Sequence, residues 1–191
     1  MVVIPIRSFR DAKTRLADVL SSSDRERLAE AMATRVVAAA HELAVHVVTE
    51  DETVARWAAG LGAHVIDPGV RGLNAAVAAA QEILRQQLDP AQRMIVAHAD
   101  LPMAEDLRVV TGPGVAVAPD AARDGSNVLS LPIGAGFSFR YGPGSFAAHQ
   151  IEAESRGLPF TVVTDGSLAL DIDDPTDLAA LADPPGSPGR R

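Results

Sequence analysis

Cysteine is absent from this chain of 191 residues. Its absence excludes disulfides, thiolate metal sites and a cysteine nucleophile. Aromatic residues are scarce at 4%, while hydrophobic residues reach 47%. A core must therefore be built from Ala, Val, Leu and Ile. No apolar run approaches the ~20 residues needed to cross a bilayer. The N-terminal apolar stretch Val2–Ile6 is interrupted by Arg7, too early for a signal peptide. Basic residues are outnumbered, 17 against 25 acidic, for a formal net charge of −8. Apart from the terminal Arg190-Arg191 pair there is no basic run. An acidic chain repels phosphodiester backbones, so nucleic acid is not the expected partner. Small anions remain accessible where a few basic residues converge in one cleft. These features describe a cytoplasmic protein with no membrane segment. One domain is expected over residues 1–182, followed by a Pro- and Gly-rich tail, 183–191, expected to be disordered.

What is present alternates. Val2–Ile6 reads as a buried strand. Ser23-Asp24-Arg25-Glu26 fits a capping box with Ser23 as N-cap, opening a helix that runs to about His41. Strands are expected at Val45–Thr49, Ala63–Ile66, Met94–Ala97, Val115–Ala118, Val128–Leu131 and Phe160–Val163. Helices are expected at Thr53–Gly60, Leu73–Leu88, Phe146–Arg156 and Pro175–Leu181. This order predicts an α/β fold, a mostly parallel twisted sheet with helices on both faces. Such sheets bind ligands outside the carboxyl ends of their strands.

Four stretches near those ends carry chemistry. The loop Arg7–Leu16 places Arg7, Arg10, Lys13 and Arg15 within nine positions. It suits a triphosphate, which Lys13 and Arg15 can neutralise, although it matches neither a Walker A loop nor a dinucleotide fingerprint. Read by itself it could also be a solvated basic loop. Lys13→Ala and Arg15→Ala are expected to leave the melting temperature nearly unchanged. His98-Ala99-Asp100-Leu101-Pro102 follows a strand, with Asp100 placed to hold a metal or to close a turn. In Asp171-Ile172-Asp173-Asp174-Pro175, strand alternation would turn Asp171 and Asp173 to one side, with Asp174 nearer the helix end. Magnesium prefers such carboxylates together with phosphate oxygens and water. Gly142-Pro143-Gly144-Ser145, opening a helix, and Gly125-Ser126-Asn127, before a strand, could form amide nests for an anion or be ordinary turns. Gly72-Leu73-Asn74 reads as a turn with Asn74 as helix cap.

Taken in order, these stretches resemble the phosphoenolpyruvate and 2-phospho-L-lactate guanylyltransferases of coenzyme F-420 biosynthesis, relatives of the molybdenum-cofactor nucleotidyltransferases. The resemblance covers residues 2 to about 181. Its motifs are Pro5–Leu16, Gly72-Leu73-Asn74, Ala99–Pro102, Gly125-Ser126-Asn127, Tyr141–His149 and Leu170–Pro175. Departures are Arg7 for Lys, Ser126 for Thr, Tyr141 for Phe, Asp174 for Thr and a short segment from Met103 to Gly114. The resemblance implies a Rossmann-like fold of the nucleotide-diphospho-sugar transferase type. It implies transfer of GMP from GTP to phosphoenolpyruvate, 2-phospho-L-lactate or 3-phosphoglycerate, with pyrophosphate released. Arg7, Lys13, Arg15, Gly72, Asn74 and Asp100 would bind the nucleotide, with Lys13, Arg15 and Asp100 catalytic. Ser126, Gly142 and Ser145 would hold the acceptor. Asp100, Asp171 and Asp173 would hold Mg2+, with Mn2+ as substitute. A homodimer and a downstream transferase of the coenzyme pathway are the implied protein partners. Two alternatives stay open, another nucleotidyltransferase of the molybdenum-cofactor type and a catalytically inactive nucleotide-binding module. The chain lacks the Leu-x-Gly-Gly opening of the first and retains the acidic residues whose loss would mark the second.

Overall fold

The computed structural model describes residues 1–182; the expected tail, 183–191, lies outside the described residues. Seven strands form one sheet: β1 (Val2–Pro5), β2 (Val45–Val48), β3 (His64–Ile66), β4 (Arg93–Ala97), β5 (Val115–Pro119), β6 (Ser126–Pro132) and β7 (Phe160–Val162). Their spatial order is β3-β2-β1-β4-β6-β5-β7. All pairs are parallel except β4–β6 and β5–β6, so β6 alone is reversed. The reversal places the beginning of β6 at the carboxyl edge of β4. A backbone bond fixes the junction, from the His98 N–H to the Asn127 carbonyl at 2.9 Å.

Five α-helices cover the sheet: α1 (Ser22–Ala38), α2 (Glu52–Gly60), α3 (Leu73–Arg85), α4 (Ser145–Ser155) and α5 (Pro175–Ala182). Alternation along β1 separates the two faces. Val2 and Ile4 join Ala29, Ala33 and Val36 of α1 and Val54 and Ala58 of α2 in one apolar cluster. Val3 joins Val77, Ala80 and Leu84 of α3 and Ala153 of α4 in another. Helices thus lie on both faces of a mostly parallel sheet, as the alternation of patterns predicts. Helix α5 sits on a satellite cluster of Leu16, Met32 and Ile172.

The caps differ from expectation in two places. Helix α1 is capped by Ser21, not Ser23: the Ser21 hydroxyl accepts the Asp24 N–H at 3.1 Å. With Ser21 at the cap, Asp24 falls at the third helical position, where a carboxylate faces the unpaired first-turn N–H groups. The helix also stops at Ala38, and His41 beyond it has φ 51°. Helix α3 is capped by the backbone of Gly72 rather than by Asn74, whose side chain is engaged elsewhere. The short segment 103–114 packs against the body of the domain: Leu107 and Val110 are buried, and the Leu107 N–H donates to the Ala39 carbonyl.

Candidate active site

A cleft of about 600 Å3 opens along the carboxyl edge of β1, β4 and β5. That volume accommodates a nucleotide-sized ligand. Arg7, Lys13 and Arg15 line it from the loop after β1, Asp100 from the end of β4, and Asp171 and Asp173 from the segment before α5. Gly142 and Ser145 line the opposite wall. Asp171 and Asp173 do share one side, although residues 171–173 form no strand. Ile172 between them is fully buried in the satellite cluster and turns its neighbours outward.

Lys13 is the hub. Its Nζ lies 2.6 Å from Asp100 Oδ2 and 3.0 Å from Asp173 Oδ1. The side chain is only 10% exposed, whereas that of Arg15 is 75% exposed and reaches Asp173 at 3.8 Å. The alternative reading of a solvated basic loop therefore does not describe Lys13, and the expectation that Lys13→Ala leaves the melting temperature nearly unchanged is corrected. Its backbone is left-handed, φ 55°, as it enters a 3-10 turn at Thr14–Leu16, and that turn aims the side chain inward. Burial alone would lower the Lys13 pKa, but Asp100 and Asp173 override it and raise the value. Burial would likewise raise the Asp100 pKa, yet the Lys13 ammonium and His98 hold it below the ordinary range. Asp171 behaves oppositely. Burial, together with the Asp100 and Asp173 carboxylates, pushes its pKa up.

The chemistry of these donors fits a hard divalent cation. Asp100 Oδ1 is buried with no hydrogen-bond partner, and the Asp171 carboxylate lies close enough to those of Asp100 and Asp173 to feel their charge. Five aspartates line the cleft (Asp100, Asp120, Asp124, Asp171 and Asp173) against three cations, Arg7, Lys13 and Arg15. A polyphosphate entering this excess of negative charge needs a counter-ion. Among the described residues, no three His, Asp or Glu side chains close around one point. Lys13 Nζ is the charge lying between Asp100 and Asp173.

Three expectations about the polar loop residues need correction. The Ser126 hydroxyl does not face the cleft: the side chain is fully buried and Oγ lies 2.9 Å from His149 Nδ1. Any contact it makes with a ligand falls to its backbone. The expected amide nests are occupied from within. Asp120 Oδ2 accepts the Gly125 N–H at 2.8 Å, and Asp124 Oδ2 accepts the Gly144 N–H at 3.1 Å. The Phe146 and Ser145 N–H groups donate to the carbonyls of Asp124 and Gly142. Ser145 itself keeps its place at the cleft. Asn74 is the third case. Its amide pairs with the Tyr141 backbone, so it does not point at a nucleoside, and Leu73 rather than Gly72 or Asn74 lines the cleft. Asp174 caps α5, accepting the Thr176 and Asp177 N–H groups at 2.7 and 3.2 Å.

Asp120 and Asp124 are cleft residues that the motifs alone do not single out. Asp120 directly follows β5 and obeys the same carboxyl-end rule as Asp100, so a signal for it is present in the sequence. Asn127, which belongs to the Gly125-Ser126-Asn127 motif, also lines the cleft. It donates to the Leu168 carbonyl at 2.9 Å and approaches Asp171 Oδ1 at 3.5 Å, holding the acidic segment against β6.

The family model described as "Guanylyl transferase CofC like" matches residues 1–182. The chain belongs to this family. It is 36% identical over 190 residues to the phosphoenolpyruvate guanylyltransferase of Rubrobacter xylanophilus, covering 94% of this chain and 91% of that one. The 2-phospho-L-lactate guanylyltransferase of Methanothermobacter thermautotrophicus is 35% identical, covering 94% and 82%. The 3-phospho-D-glycerate guanylyltransferase of Phenylobacterium zucineum is 35% identical, covering 99% and 91%. A nucleotidyl transferase structure from Methanothermobacter thermautotrophicus superposes with a TM-score of 0.62 at 14% identity, covering 96% of each chain. That likeness carries the fold. The chain is thus a member of a guanylyl transferase family and shares the fold of that nucleotidyl transferase.

Proposed function

We propose that the protein transfers GMP from GTP to a phosphorylated three-carbon acid, in the pathway to coenzyme F-420. An acceptor phosphate oxygen attacks the α-phosphorus, the bond from that phosphorus to the β-phosphate bridging oxygen breaks, and pyrophosphate leaves. The observation that supports this most directly is the opposition of Arg7, Lys13 and Arg15 to Asp100, Asp171 and Asp173 in one cleft. A phosphate monoester is already an anion at neutral pH, so no general base is required. Catalysis then consists of positioning and charge stabilisation. In this reading Lys13 and Arg15 neutralise the departing pyrophosphate, and Arg7 completes the basic rim. Asp100, Asp171 and Asp173 would hold Mg2+, or Mn2+ in its place, which supplies counter-charge to phosphate oxygens. The Ser145 hydroxyl and the backbones of Gly142 and Ser126 receive the acceptor.

Relatives named for three different acids stand at 36%, 35% and 35% identity, so their names do not rank the acceptors. The acids share a carboxylate and a phosphate, the features this wall would bind. No described helix is long and apolar enough to cross a membrane. We place the protein in the cytoplasm with its nucleotide, and we expect a homodimer that passes product to a downstream transferase. Pyrophosphate release measured for four nucleoside triphosphates against the three acids tests the proposal. GTP with at least one of these acids should give release far above every other nucleotide. Equal use of all four nucleotides, or release without acid, would overturn it.

A further inference from the structure

Asn74 stands in the first turn of α3, in the motif assigned to the nucleotide, yet both polar atoms of its amide bind the backbone of Tyr141. Nδ2 donates to the Tyr141 carbonyl at 3.0 Å, and Oδ1 accepts the Tyr141 N–H at 2.7 Å. The next residue, Gly142, begins the acceptor-side loop. His149 holds the same loop from below. Its Nε2 accepts the Arg140 N–H at 2.9 Å, and its ring packs edge-on against Tyr141 at 4.8 Å. Because Nε2 accepts a backbone N–H, the ring proton sits on Nδ1, which donates to Ser126 Oγ at 2.9 Å. His149 is fully buried in this role. An unbroken chain of contacts therefore runs from α3 through residues 140–141 to the start of β6.

The loop needs such anchors. Gly142 and Gly144 have φ 128° and 71°, and beyond the adjacent residues no heavy atom lies within 4 Å of where a Cβ would stand on either. Asp124 holds the far end of this turn through the Gly144 and Phe146 N–H groups, while Asn74 and His149 hold the two residues that lead into it. We propose that Asn74 and His149 are positioning residues that fix the acceptor loop against the nucleotide wall, so that acceptor and nucleotide meet in line. Neither needs to touch substrate. The inference rests on the reading of Gly142–Ser145 as the acceptor loop. A misplacement of about 1 Å can cost on the order of 100-fold in rate, so a missing anchor registers in transfer rather than in nucleotide binding.

The test uses the full chain with Asn74→Ala, Asn74→Asp, His149→Asn and the double variant Asn74→Ala/His149→Asn. The GTP Kd is measured without acceptor, and kcat and acceptor KM with phosphoenolpyruvate. Asn74→Ala should lower kcat/KM for the acceptor by about 10- to 100-fold while the GTP Kd stays within about twofold. Asn74→Asp keeps the acceptor for the Tyr141 N–H and should fall between wild type and Ala. His149→Asn keeps a donor near Ser126 but loses the acceptor for Arg140, and should reproduce the split. The double variant should be little worse than the worse single, as for members of one network. Retained GTP binding certifies folding in each case, and His149→Asn carries the test if Asn74→Ala does not fold. A weakened GTP Kd with unchanged acceptor kinetics would make Asn74 a nucleotide ligand and overturn the inference. So would unchanged kinetics in every variant, or multiplicative losses in the double. Ser145→Ala separates the two levels. If it changes acceptor KM while the Asn74 and His149 variants do not, the anchoring fails alone. If it has no effect, the acceptor assignment fails and this inference with it.

Discussion

The wall that carries Lys13, Asp100 and Asp173 is held by opposite charges, whereas the wall that carries Ser126, Gly142 and Ser145 is held by hydrogen bonds to backbone amides. The charged wall is left unbalanced, with the Asp171 pKa raised by burial and the neighbouring carboxylates and one Asp100 oxygen unpartnered. The amide wall is close to saturated, its Gly125 and Gly144 donors already given to Asp120 and Asp124. The difference teaches how each can bind an anion. The first recruits charge, and a ligand there changes the local electrostatics. The second offers shape and a hydroxyl, and its glycines must hold their geometry.

The largest effects should come from the charged wall. Asp100→Asn and Asp173→Asn should each lower turnover by about 100-fold or more, corresponding to several kcal/mol of lost stabilisation at the transferring phosphoryl group. Steady-state pyrophosphate release on variants with wild-type circular dichroism checks this, and near-normal turnover would remove the metal assignment.

Lys13→Ala should come next, and it separates from Arg15→Ala. Removing Lys13 strips Asp100 of its partner while that side chain is only 24% exposed, so stability should fall by about 2–3 kcal/mol as well as activity. Arg15→Ala, at an exposed position, should slow transfer without moving the denaturation midpoint. Urea unfolding of both proteins at neutral pH measures the contrast.

The amide wall should respond most to protonation of His149. Burial lowers the His149 pKa from 6.5 to about 4. The unfolded chain therefore binds the proton more readily than the folded one between these values. Stability from this residue should be complete above pH 6.5 and lost as pH falls toward 4. The loss is at most about 3 kcal/mol, from 1.36 kcal/mol per pKa unit. Unfolding as a function of pH, compared with His149→Asn, isolates it. The smallest effect should be Gly144→Val. Open space surrounds the position, so crowding is not the cost; φ 71° is, at roughly 1–2 kcal/mol for a side chain in the left-handed region. Acceptor KM should rise more than GTP KM, and equal changes in both would blur the two walls into one.

Charge and periodicity were legible in the sequence, and hydrogen-bond occupancy was not. The strands after which Arg7, Asp100 and Asp120 fall follow from apolar runs, and the loops after them are where such sheets bind ligands. The convergence of Lys13, Asp100 and Asp173 needed only those loops and their charges. By contrast, Ser126 and Asn74 are polar residues in turn-like motifs, and sequence cannot tell a residue that donates to a ligand from one that donates to its own chain. The reversed β6 settles the matter for Ser126, because pairing with β4 and β5 turns its side chain toward His149. For Asn74 the partner lies 67 residues away, beyond any local pattern. The shift of the α1 cap from Ser23 to Ser21 has a similar origin, since three consecutive serines offer equivalent local signals.

The most direct test of the account is phosphorus NMR of the protein incubated with GTP, phosphoenolpyruvate, 2-phospho-L-lactate or 3-phosphoglycerate, with magnesium and again after chelation. The account predicts inorganic pyrophosphate together with a pair of coupled resonances from a new diphosphate linking guanosine to the acid. Both should appear only with an acid present, and both should vanish on chelation. Unchanged GTP with all three acids in magnesium, or product formed equally well after chelation, would contradict it.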